Sequence, residues 1–243
     1  MQSVEIRRAI NAADVAQQAA VEIIASLRET LSKQESVHLA LTGGTVGIKT
    51  LEALAQEPEF AVLDLDRIHV WWGDERYVEE NSADRNAVQA NEALLSKVQI
   101  PVANIHEFPS TDSGLNVAQA AITFQQEMNE VFGALEPKMD LTILGMGPDG
   151  HIASLFPGVD YGTTDVVSIS SSPKPPSERL SFSFELINRS NKIVFVVSGI
   201  DKAPAIEKIH TEADCELPAA RVSATGETLW FIDEAAGAAF WSC

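Results

Sequence analysis

The sequence predicts an α/β fold built on a mostly parallel β-sheet that helices cover on both faces. Apolar segments of strand character alternate with helical segments along most of the 243 residues, as expected for successive βαβ units. Several strand segments are continuous apolar runs, which indicates strands buried on both faces of a parallel sheet. The length suits one domain and no repeat or linker interrupts the chain, so we expect a single domain over residues 1–243.

The elements are predicted from hydrophobic periodicity and terminal residues. The first helix begins after Asn11, a typical N-cap residue, and continues to about Ser32 with one apolar stripe. Further helices are expected at 46–56, 86–96, 115–132, 201–210 and 234–241. Strands are predicted where apolar and β-branched residues run together between turn residues, at 37–41, 68–72, 141–144, 166–169, 180–184, 192–197 and 228–233.

The charge balance limits the partners that the protein can have. Its formal net charge is -18, from 17 basic and 35 acidic residues. We therefore expect neither nucleic acid nor an anionic membrane surface as a partner, because both reward clustered Lys and Arg. A small anionic substrate would need a local basic pocket.

The cysteines and the first residues favour a reducing compartment. Cys215 and Cys243 form no disulfide framework, and the chain has no Cys/His metal-binding spacing, so we expect no metal. We also expect no cofactor. The first 20 residues lack the apolar segment of a signal peptide, and no apolar run approaches the ~18 residues that span a bilayer. A cytoplasmic location is the expectation. No motif identifies a protein partner.

Four polar or glycine-rich motifs follow predicted strands. They are TGGT at 42–45, GDER at 73–76, GMGPDGH at 145–151 and SGIDK at 198–202. Each could be an ordinary turn. Because ligands of open α/β sheets bind beyond the carboxyl ends of the strands, four such motifs together predict a ligand site.

The TGGT motif has the composition of an anion-binding turn. Gly43 and Gly44 allow a sharp turn and close approach of a ligand to the backbone. The following helix offers unpaired N–H groups, and Thr45 adds a hydroxyl. The alternative is a plain strand–turn–helix connection, and the spacing does not match a Walker A loop.

The GDER motif places Asp74, Glu75 and Arg76 directly after an apolar strand. A carboxylate beside an arginine can serve as an acid/base group with an oriented cation. The alternative is a solvated charge cluster. The sequence leaves open which of the two carboxylates faces a substrate.

The GMGPDGH motif contains G-x-G-x-x-G, the pattern of a dinucleotide-binding turn. Pro148 within the loop and Pro157 shortly after it prevent the long helix that such a turn requires. The motif is better interpreted as a loop that presents Asp149 and His151. The other histidines lack such context and are expected to be structural: His38, His69, His106 and His210.

Two further cations follow strands or loops in this acidic chain. Arg179 comes after the proline-rich loop 170–178, and Lys202 follows the strand 192–197. Either could be a surface charge, but both could bind a phosphate through charge-assisted hydrogen bonds. Whether the loop closes over a substrate is left open. The chain has no G-x-S-x-G nucleophile elbow and no HExxH metal motif.

Taken together, the motifs resemble the 6-phosphogluconolactonase family along nearly the whole chain. They are LTGGT, GDERYV, LGMGPDGHIASLFPG, PPSERLS, SGIDKA and LPAARV, in the order of the family. The resemblance implies a modified Rossmann-like three-layer αβα sandwich, similar to glucosamine-6-phosphate isomerases. It also implies hydrolysis of 6-phosphogluconolactone to 6-phosphogluconate in the oxidative pentose phosphate pathway.

The resemblance also implies roles for individual residues. His151 matches the proposed catalytic histidine. The family's basic residues at the substrate's end of the site match Arg76, Arg179 and Lys202. Its phosphate loop matches Gly43, Gly44 and Thr45. The prolines that the family usually has after its TGG loop and after GDER-x-V are absent, since Val46, Gly47 and Glu79 occupy those places. The family's Ser-Asn is Arg85-Asn86 here.

The expected mechanism is attack of water on the lactone carbonyl with His151 as general base. Asp74 is expected to orient either His151 or the sugar hydroxyls. One alternative is an amino-sugar-phosphate isomerase or deaminase, a family that has a glutamate five residues after the histidine. Phe156 holds that position here. The other alternative is a non-catalytic sugar-phosphate sensor.

Overall fold

The computed structural model describes residues 3–241 and contains two β-sheets with flanking helices. Its strands are β1 (Ser3–Ala9), β2 (Val37–Leu41), β3 (Ile68–Trp72), β4 (Asp74–Arg76), β5 (Leu141–Leu144), β6 (Val166–Ile169), β7 (Arg179–Phe182), β8 (Lys192–Val197) and β9 (Glu227–Asp233). Its α-helices are α1 (Ala12–Leu31), α2 (Gly44–Gln56), α3 (Pro58–Ala61), α4 (Asn86–Ala93), α5 (Val117–Phe132), α6 (Phe184–Asn188), α7 (Ala203–Thr211) and α8 (Ala238–Trp241).

The larger sheet has six strands in the order β1-β9-β8-β5-β2-β3, and every neighbouring pair is parallel. The predicted α/β class with a mostly parallel, helix-flanked sheet is confirmed. A smaller antiparallel sheet has the order β4-β7-β6. The segments predicted at 166–169 and 180–184 therefore form a second sheet, which no single-segment pattern indicates.

The helix starts follow the capping residues. Asn11 accepts hydrogen bonds from the backbone of Ala13 and Asp14, as expected for the N-cap of α1. Asn116 and Gln119 form a capping box that starts α5 two residues later than predicted. The predicted last helix is shorter, because residues 234–237 form a turn in which the Asp233 carboxylate accepts from the backbone N–H of Ala236.

Strand β1 was not predicted, since its sequence SVEIRRA is mostly polar. It lies at the edge of the large sheet and is largely exposed, so it needs few apolar residues. Its pairing with β9 runs in register from Ser3 opposite Glu227.

The buried apolar residues of both sheets and their helices form one hydrophobic cluster. Three histidines, which we call the histidine cluster, lie beside it: His38, His69 and His106. His38 and His69 face each other across β2 and β3 with ring centroids 4.8 Å apart. The His69 ring contacts His106, with Nδ1 and Nε2 3.0 Å apart, and Trp71 Nε1 donates to His38 Nδ1 at 3.1 Å.

The strand order creates a switch point between β5 and β2. The chain passes from β2 to β3 in one direction and from β5 to β8 and β9 in the other. A ligand is expected in the crevice at the carboxyl ends of such strands. Two of the predicted motifs, at 42–45 and 145–151, are the loops that follow β2 and β5.

Within residues 3–241, no helix is long and apolar enough to cross a membrane, and no three potential metal ligands lie together. Cys215 is a free, half-buried thiol, whereas Cys243 lies outside the described residues.

Candidate active site

A cavity of about 510 Å³ lies at the carboxyl edge of the large sheet. Its lining includes residues from all four predicted motifs. The loops after β2, β3, β5 and β8 thus surround one space, as their positions at strand ends predicted. The predicted site residues that line the cavity are Gly43, Gly44, Thr45, Asp74, Arg76, His151, Arg179 and Lys202.

The loop after β2 leads directly into the N-terminus of α2. Gly43 is the N-cap residue and provides no side-chain cap, so the first N–H groups of the helix are left for a ligand. Gly44 has a φ of +78°, a conformation that favours glycine. The positive end of the 13-residue helix therefore faces the cavity.

Asn86 joins this loop to the carboxylate of Asp74. A Cβ atom on Gly43 would lie only 1.9 Å from Asn86 Oδ1, so the amide occupies the space that any larger residue would need. Asn86 Nδ2 donates to the Asp74 carbonyl oxygen at 2.8 Å and to its carboxylate at 3.3 Å. Asn86 thus packs against the backbone of the loop after β2 and is hydrogen-bonded to Asp74 at the same time.

The two acidic residues of the GDER motif have different environments. The Asp74 carboxylate lines the cavity, accepts from Ser154 Oγ at 2.6 Å and lies 4.0 Å from Arg179 Nη1. Glu75 is 1% exposed and accepts from the backbone N–H groups of Asn86 and Ala87 at the start of α4. Asp74 is therefore the carboxylate of this pair that faces the cavity.

Burial raises the pKa of Glu75 to about 7, although backbone hydrogen bonds and the nearby Arg85 guanidinium act in the opposite direction. Arg85 is also 1% exposed, and its Nε lies 3.6 Å from Glu75. The buried pair of Glu75 and Arg85 thus stabilises the start of α4.

His151 is held by Asp149 and by two close contacts. Its Nδ1 atom is hydrogen-bonded to the Asp149 carboxylate, and its ring packs against Phe156 with centroids 4.8 Å apart. A Cβ atom on Gly147 would lie 1.9 Å from His151 Cε1. Only glycine at position 147 therefore leaves room for the imidazole in its place against this loop.

The electrostatic surroundings of His151 keep it neutral. Burial lowers its pKa; the Asp149 carboxylate raises it in part, and the Lys174 ammonium lowers it further. The pKa of Asp149 is itself lowered, because its hydrogen bond and charge interaction with His151 outweigh the opposing effect of burial. An ionised carboxylate can only accept, so Nδ1 carries the proton and Nε2 has a free lone pair.

One expectation for Asp74 has to be corrected. The carboxylate hydrogen-bonded to His151 is Asp149, two residues away on the same loop, whereas Asp74 is bonded to Ser154 and Asn86. Asp74 reaches the cavity from β4 of the smaller sheet, whereas Asp149 and His151 follow β5 of the larger sheet. Of the two roles expected for it, contact with sugar hydroxyls remains a prediction.

The cations of the site differ in how far they are already engaged. Arg76 donates to the Asp84 carbonyl, and Lys202 forms an ion pair with Asp201. The buried Nε of Arg76 has no hydrogen-bond partner among the residues described.

Three residues of the site escaped the sequence reasoning: Asn86, Ser154 and Lys174. Asn86 and Ser154 act by holding Asp74, and a bond across distant chain segments leaves no local pattern. Lys174 lines the cavity from the proline-rich loop. The signal that could have identified it is a lysine among prolines in a chain otherwise rich in acidic residues.

Comparison with known proteins places this site in a family. The family model described as glucosamine-6-phosphate isomerases/6-phosphogluconolactonase matches residues 10–230. The chain belongs to this family.

Individual members of the glucosamine-6-phosphate isomerase/6-phosphogluconolactonase family match most of the chain. The 6-phosphogluconolactonase of Mycobacterium leprae is 36% identical over 224 residues, which cover 89% of this chain and 90% of that protein. The 6-phosphogluconolactonase of Streptomyces coelicolor is 34% identical, with 91% and 89% coverage.

Solved structures show the fold of both branches of the family. The 6-phosphogluconolactonase of Thermotoga maritima superposes with a TM-score of 0.83 at 27% identity, covering 95% of this chain and 100% of that one. A monomeric glucosamine-6-phosphate deaminase gives 0.79 at 18% identity, with 96% and 99% coverage. The shared fold does not distinguish the two activities, so the distinction has to come from the site residues.

Proposed function

We propose that this protein hydrolyses 6-phosphoglucono-1,5-lactone to 6-phosphogluconate, the lactone step of the oxidative pentose phosphate pathway, with His151 as general base. The observation that carries the proposal is the hydrogen-bonded pair of a neutral His151 and the Asp149 carboxylate, in a cavity that also contains a helix N-terminus and several cations. The similarity to 6-phosphogluconolactonases from two bacteria supports the same reaction. A cytoplasmic location and a single domain over residues 1–243 belong to the proposal.

The phosphate of the substrate fits the N-terminus of α2. There the free N–H groups after Gly43, the Thr45 hydroxyl and the Arg76 guanidinium can donate to its oxygens. Lys202 supplies a further positive charge from the loop after β8. This local concentration of donors offsets the unfavourable overall charge of -18.

With the phosphate anchored, the lactone carbonyl lies toward His151. Nε2 takes a proton from a water molecule as that water adds to the carbonyl carbon, which gives a tetrahedral intermediate with a negative oxygen. The intermediate collapses when the bond between this carbon and the ring oxygen breaks. The imidazolium returns its proton to the ring oxygen, and the new carboxylic acid ionises to solvent.

The surroundings of His151 suit this cycle. A general base works best when it is unprotonated at the working pH, and burial of the ring against Phe156 lowers its pKa. The Asp149 carboxylate fixes the tautomer and stabilises the imidazolium that forms after proton transfer. No covalent intermediate is needed, because a lactone is an activated ester.

The same ring of Phe156 argues against an amino-sugar isomerase. Isomerisation moves protons between carbon and oxygen atoms and needs a further acid/base group beside the histidine. Here the side chain against His151 on that side is an apolar phenyl ring that is 7% exposed.

Three assays on the purified protein distinguish the candidate functions. The first follows hydrolysis of 6-phosphogluconolactone, corrected for the spontaneous reaction. The second follows ammonia release from glucosamine 6-phosphate. The third measures the shift in Tm on addition of 6-phosphogluconate. We expect rapid hydrolysis in the first assay and no ammonia in the second.

The unphosphorylated gluconolactone provides the matched control for the phosphate site. We expect its kcat/KM to be lower by at least about 10-fold, because it lacks charge-assisted hydrogen bonds of roughly 1.5–3 kcal/mol. Ammonia release without lactone hydrolysis would identify an isomerase or deaminase. A Tm shift without turnover of either substrate would identify a sensor.

A further inference from the structure

The proline-rich loop 170–178 brings a fourth cation, Lys174, to the cavity that contains His151. The motif comparison assigned no role to this residue. The ammonium is close enough to influence two other groups of the cavity, since it lowers the pKa of both His151 and Asp201. Lys174 thus lies within electrostatic reach of the proposed base.

The loop is tied into a fixed shape by hydrogen bonds. Ser172 donates its backbone N–H to the Ser177 carbonyl at 2.9 Å and its hydroxyl to the Lys174 carbonyl at 2.9 Å. Arg179 donates through Nη2 to the carbonyls of Lys174 and Pro175, at 3.3 and 3.2 Å. It also donates through Nε to the carbonyl of Pro176 at 3.2 Å. Much of the hydrogen-bonding capacity of Arg179 therefore holds the loop.

The availability of its charged group separates Lys174 from the other cations. Lys202 is paired with Asp201, Arg76 donates to the Asp84 carbonyl, and Arg179 binds the loop. For Lys174, the hydrogen bonds involve only its backbone N–H and carbonyl, and its ammonium contacts no acceptor within residues 3–241.

We propose that Lys174 is a further catalytic residue, whose ammonium donates to the lactone carbonyl oxygen and stabilises the negative charge that develops there when water adds. The inference rests on the proposed lactonase function. It follows from chemistry at the cavity: the reaction creates an oxyanion beside His151, and Lys174 lines the same cavity with an ammonium that donates to no acceptor in residues 3–241. The three carbonyls bound by Arg179 fix the backbone of the loop that carries Lys174 before the substrate arrives, which contributes to the preorganisation that such stabilisation requires.

The test replaces Lys174 by Met, which keeps the length of the side chain but removes the charge. We expect kcat to fall by about 10²-fold, in the range found when one oxyanion donor is removed, with KM changed less than about 3-fold. Lys174→Arg should recover part of the lost rate because it restores a positive donor. Lys138→Met, an exposed lysine before the amino end of β5, is the matched control and should behave as wild type.

A second readout excludes a purely structural role. Because Lys174 lowers the pKa of His151, the acidic limb of the pH profile of kcat/KM should move to higher pH in Lys174→Met. The same upward shift should appear when the His151 imidazole is titrated by NMR in the absence of substrate, a measurement that does not depend on activity.

The outcomes separate this inference from the proposed function. If the wild type fails to hydrolyse the lactone, the proposed function is wrong. If the wild type is active and Lys174→Met keeps its kcat, the inference is overturned while the function stands. A rise in KM with unchanged kcat also overturns it, because Lys174 would then bind the ground state only.

Discussion

His151 and the histidine cluster of His38, His69 and His106 occupy opposite ends of the same sheet. The cluster lies toward the amino ends of β2 and β3, whereas His151 follows the carboxyl end of β5. Burial lowers the pKa of His151, and it lowers the pKa of His38 and His69 as well. A lowered histidine pKa therefore does not by itself mark the active site.

The two regions differ in what surrounds the imidazoles. His38 stacks on His69 and accepts from Trp71, so its ring nitrogen is used inside the protein. His151 has Nδ1 bound to a carboxylate and its other nitrogen available to a cavity lined with cations. The comparison teaches that an oriented imidazole with an unused lone pair, rather than burial, identifies the candidate base.

The largest effect that sharpens this comparison is expected from Gly147→Ala. The added methyl group would overlap His151 Cε1 and Nδ1, at 1.9 and 2.0 Å, and displace the imidazole from Asp149. We expect kcat to fall by roughly 10²–10⁴-fold, the contribution typical of general base catalysis. Steady-state kinetics with the lactone measure this effect.

Gly145→Ala is the control in the same loop. A methyl group there meets only Thr42 Oγ1, at 3.8 Å, which is ordinary contact. Its kcat should stay near the wild-type value. Equal losses of kcat in the two variants would mean that the whole loop is sensitive to substitution and that displacement of His151 is not the cause.

A smaller effect is expected from Asp149→Asn, which removes the charge but keeps an acceptor for Nδ1. The hydrogen bond to Nδ1 then lacks the charge that makes such a bond worth roughly 1.5–3 kcal/mol, so kcat should fall by about 10- to 100-fold. Asp149 raises the pKa of His151, so its removal should shift the acidic limb of kcat/KM to lower pH. A pH profile of the variant beside the wild type tests both the size and the direction, and a shift to higher pH contradicts the account.

The smallest effect concerns the histidine cluster and appears in stability rather than activity. Burial and the neighbouring histidines lower the pKa of His38 to about 3. The unfolded chain therefore binds a proton at pH 5.5 that the folded protein does not, and stability falls as the pH drops below about 6.5. For His38 alone the free energy of unfolding should decrease by about 1.4 kcal/mol between pH 7.5 and 5.5.

The free energy of unfolding of the wild type and of His38→Gln, measured with denaturant at pH 7.5 and 5.5, tests this prediction. Both pH values lie above the isoelectric point of about 4.5. Glutamine can still accept from Trp71, so the variant should lose only the contribution of His38 to the pH dependence of the free energy of unfolding. Its lactonase kcat at pH 7.5 should equal that of the wild type. A variant that retains the full pH dependence, or that loses activity, would remove the distinction between the two regions.

Much of the site could be predicted from sequence because parallel strands bring their carboxyl ends to one edge. The motifs at 42–45, 73–76, 145–151 and 198–202 each follow an apolar run, and the fold assembles them around one cavity. His151 was recognisable because it lies in one of these motifs, beside glycines that permit close approach of a ligand.

Other features depend on contacts between distant segments and leave no local pattern. Nothing in GDER shows that Asp74 enters the cavity while Glu75 is buried at the start of α4. The antiparallel sheet of β4, β7 and β6 required a choice of partners that strand propensity does not make. Strand β1 escaped prediction because an exposed edge tolerates polar residues.

The role of His151 as the base in lactone hydrolysis can be tested by a single comparison of rates. Initial rates with 6-phosphogluconolactone are compared for the wild type and His151→Ala, each corrected for spontaneous hydrolysis. We predict that the variant folds with a Tm close to that of the wild type and that its kcat is at least roughly 10²-fold lower. A His151→Ala protein with near wild-type kcat would contradict the account.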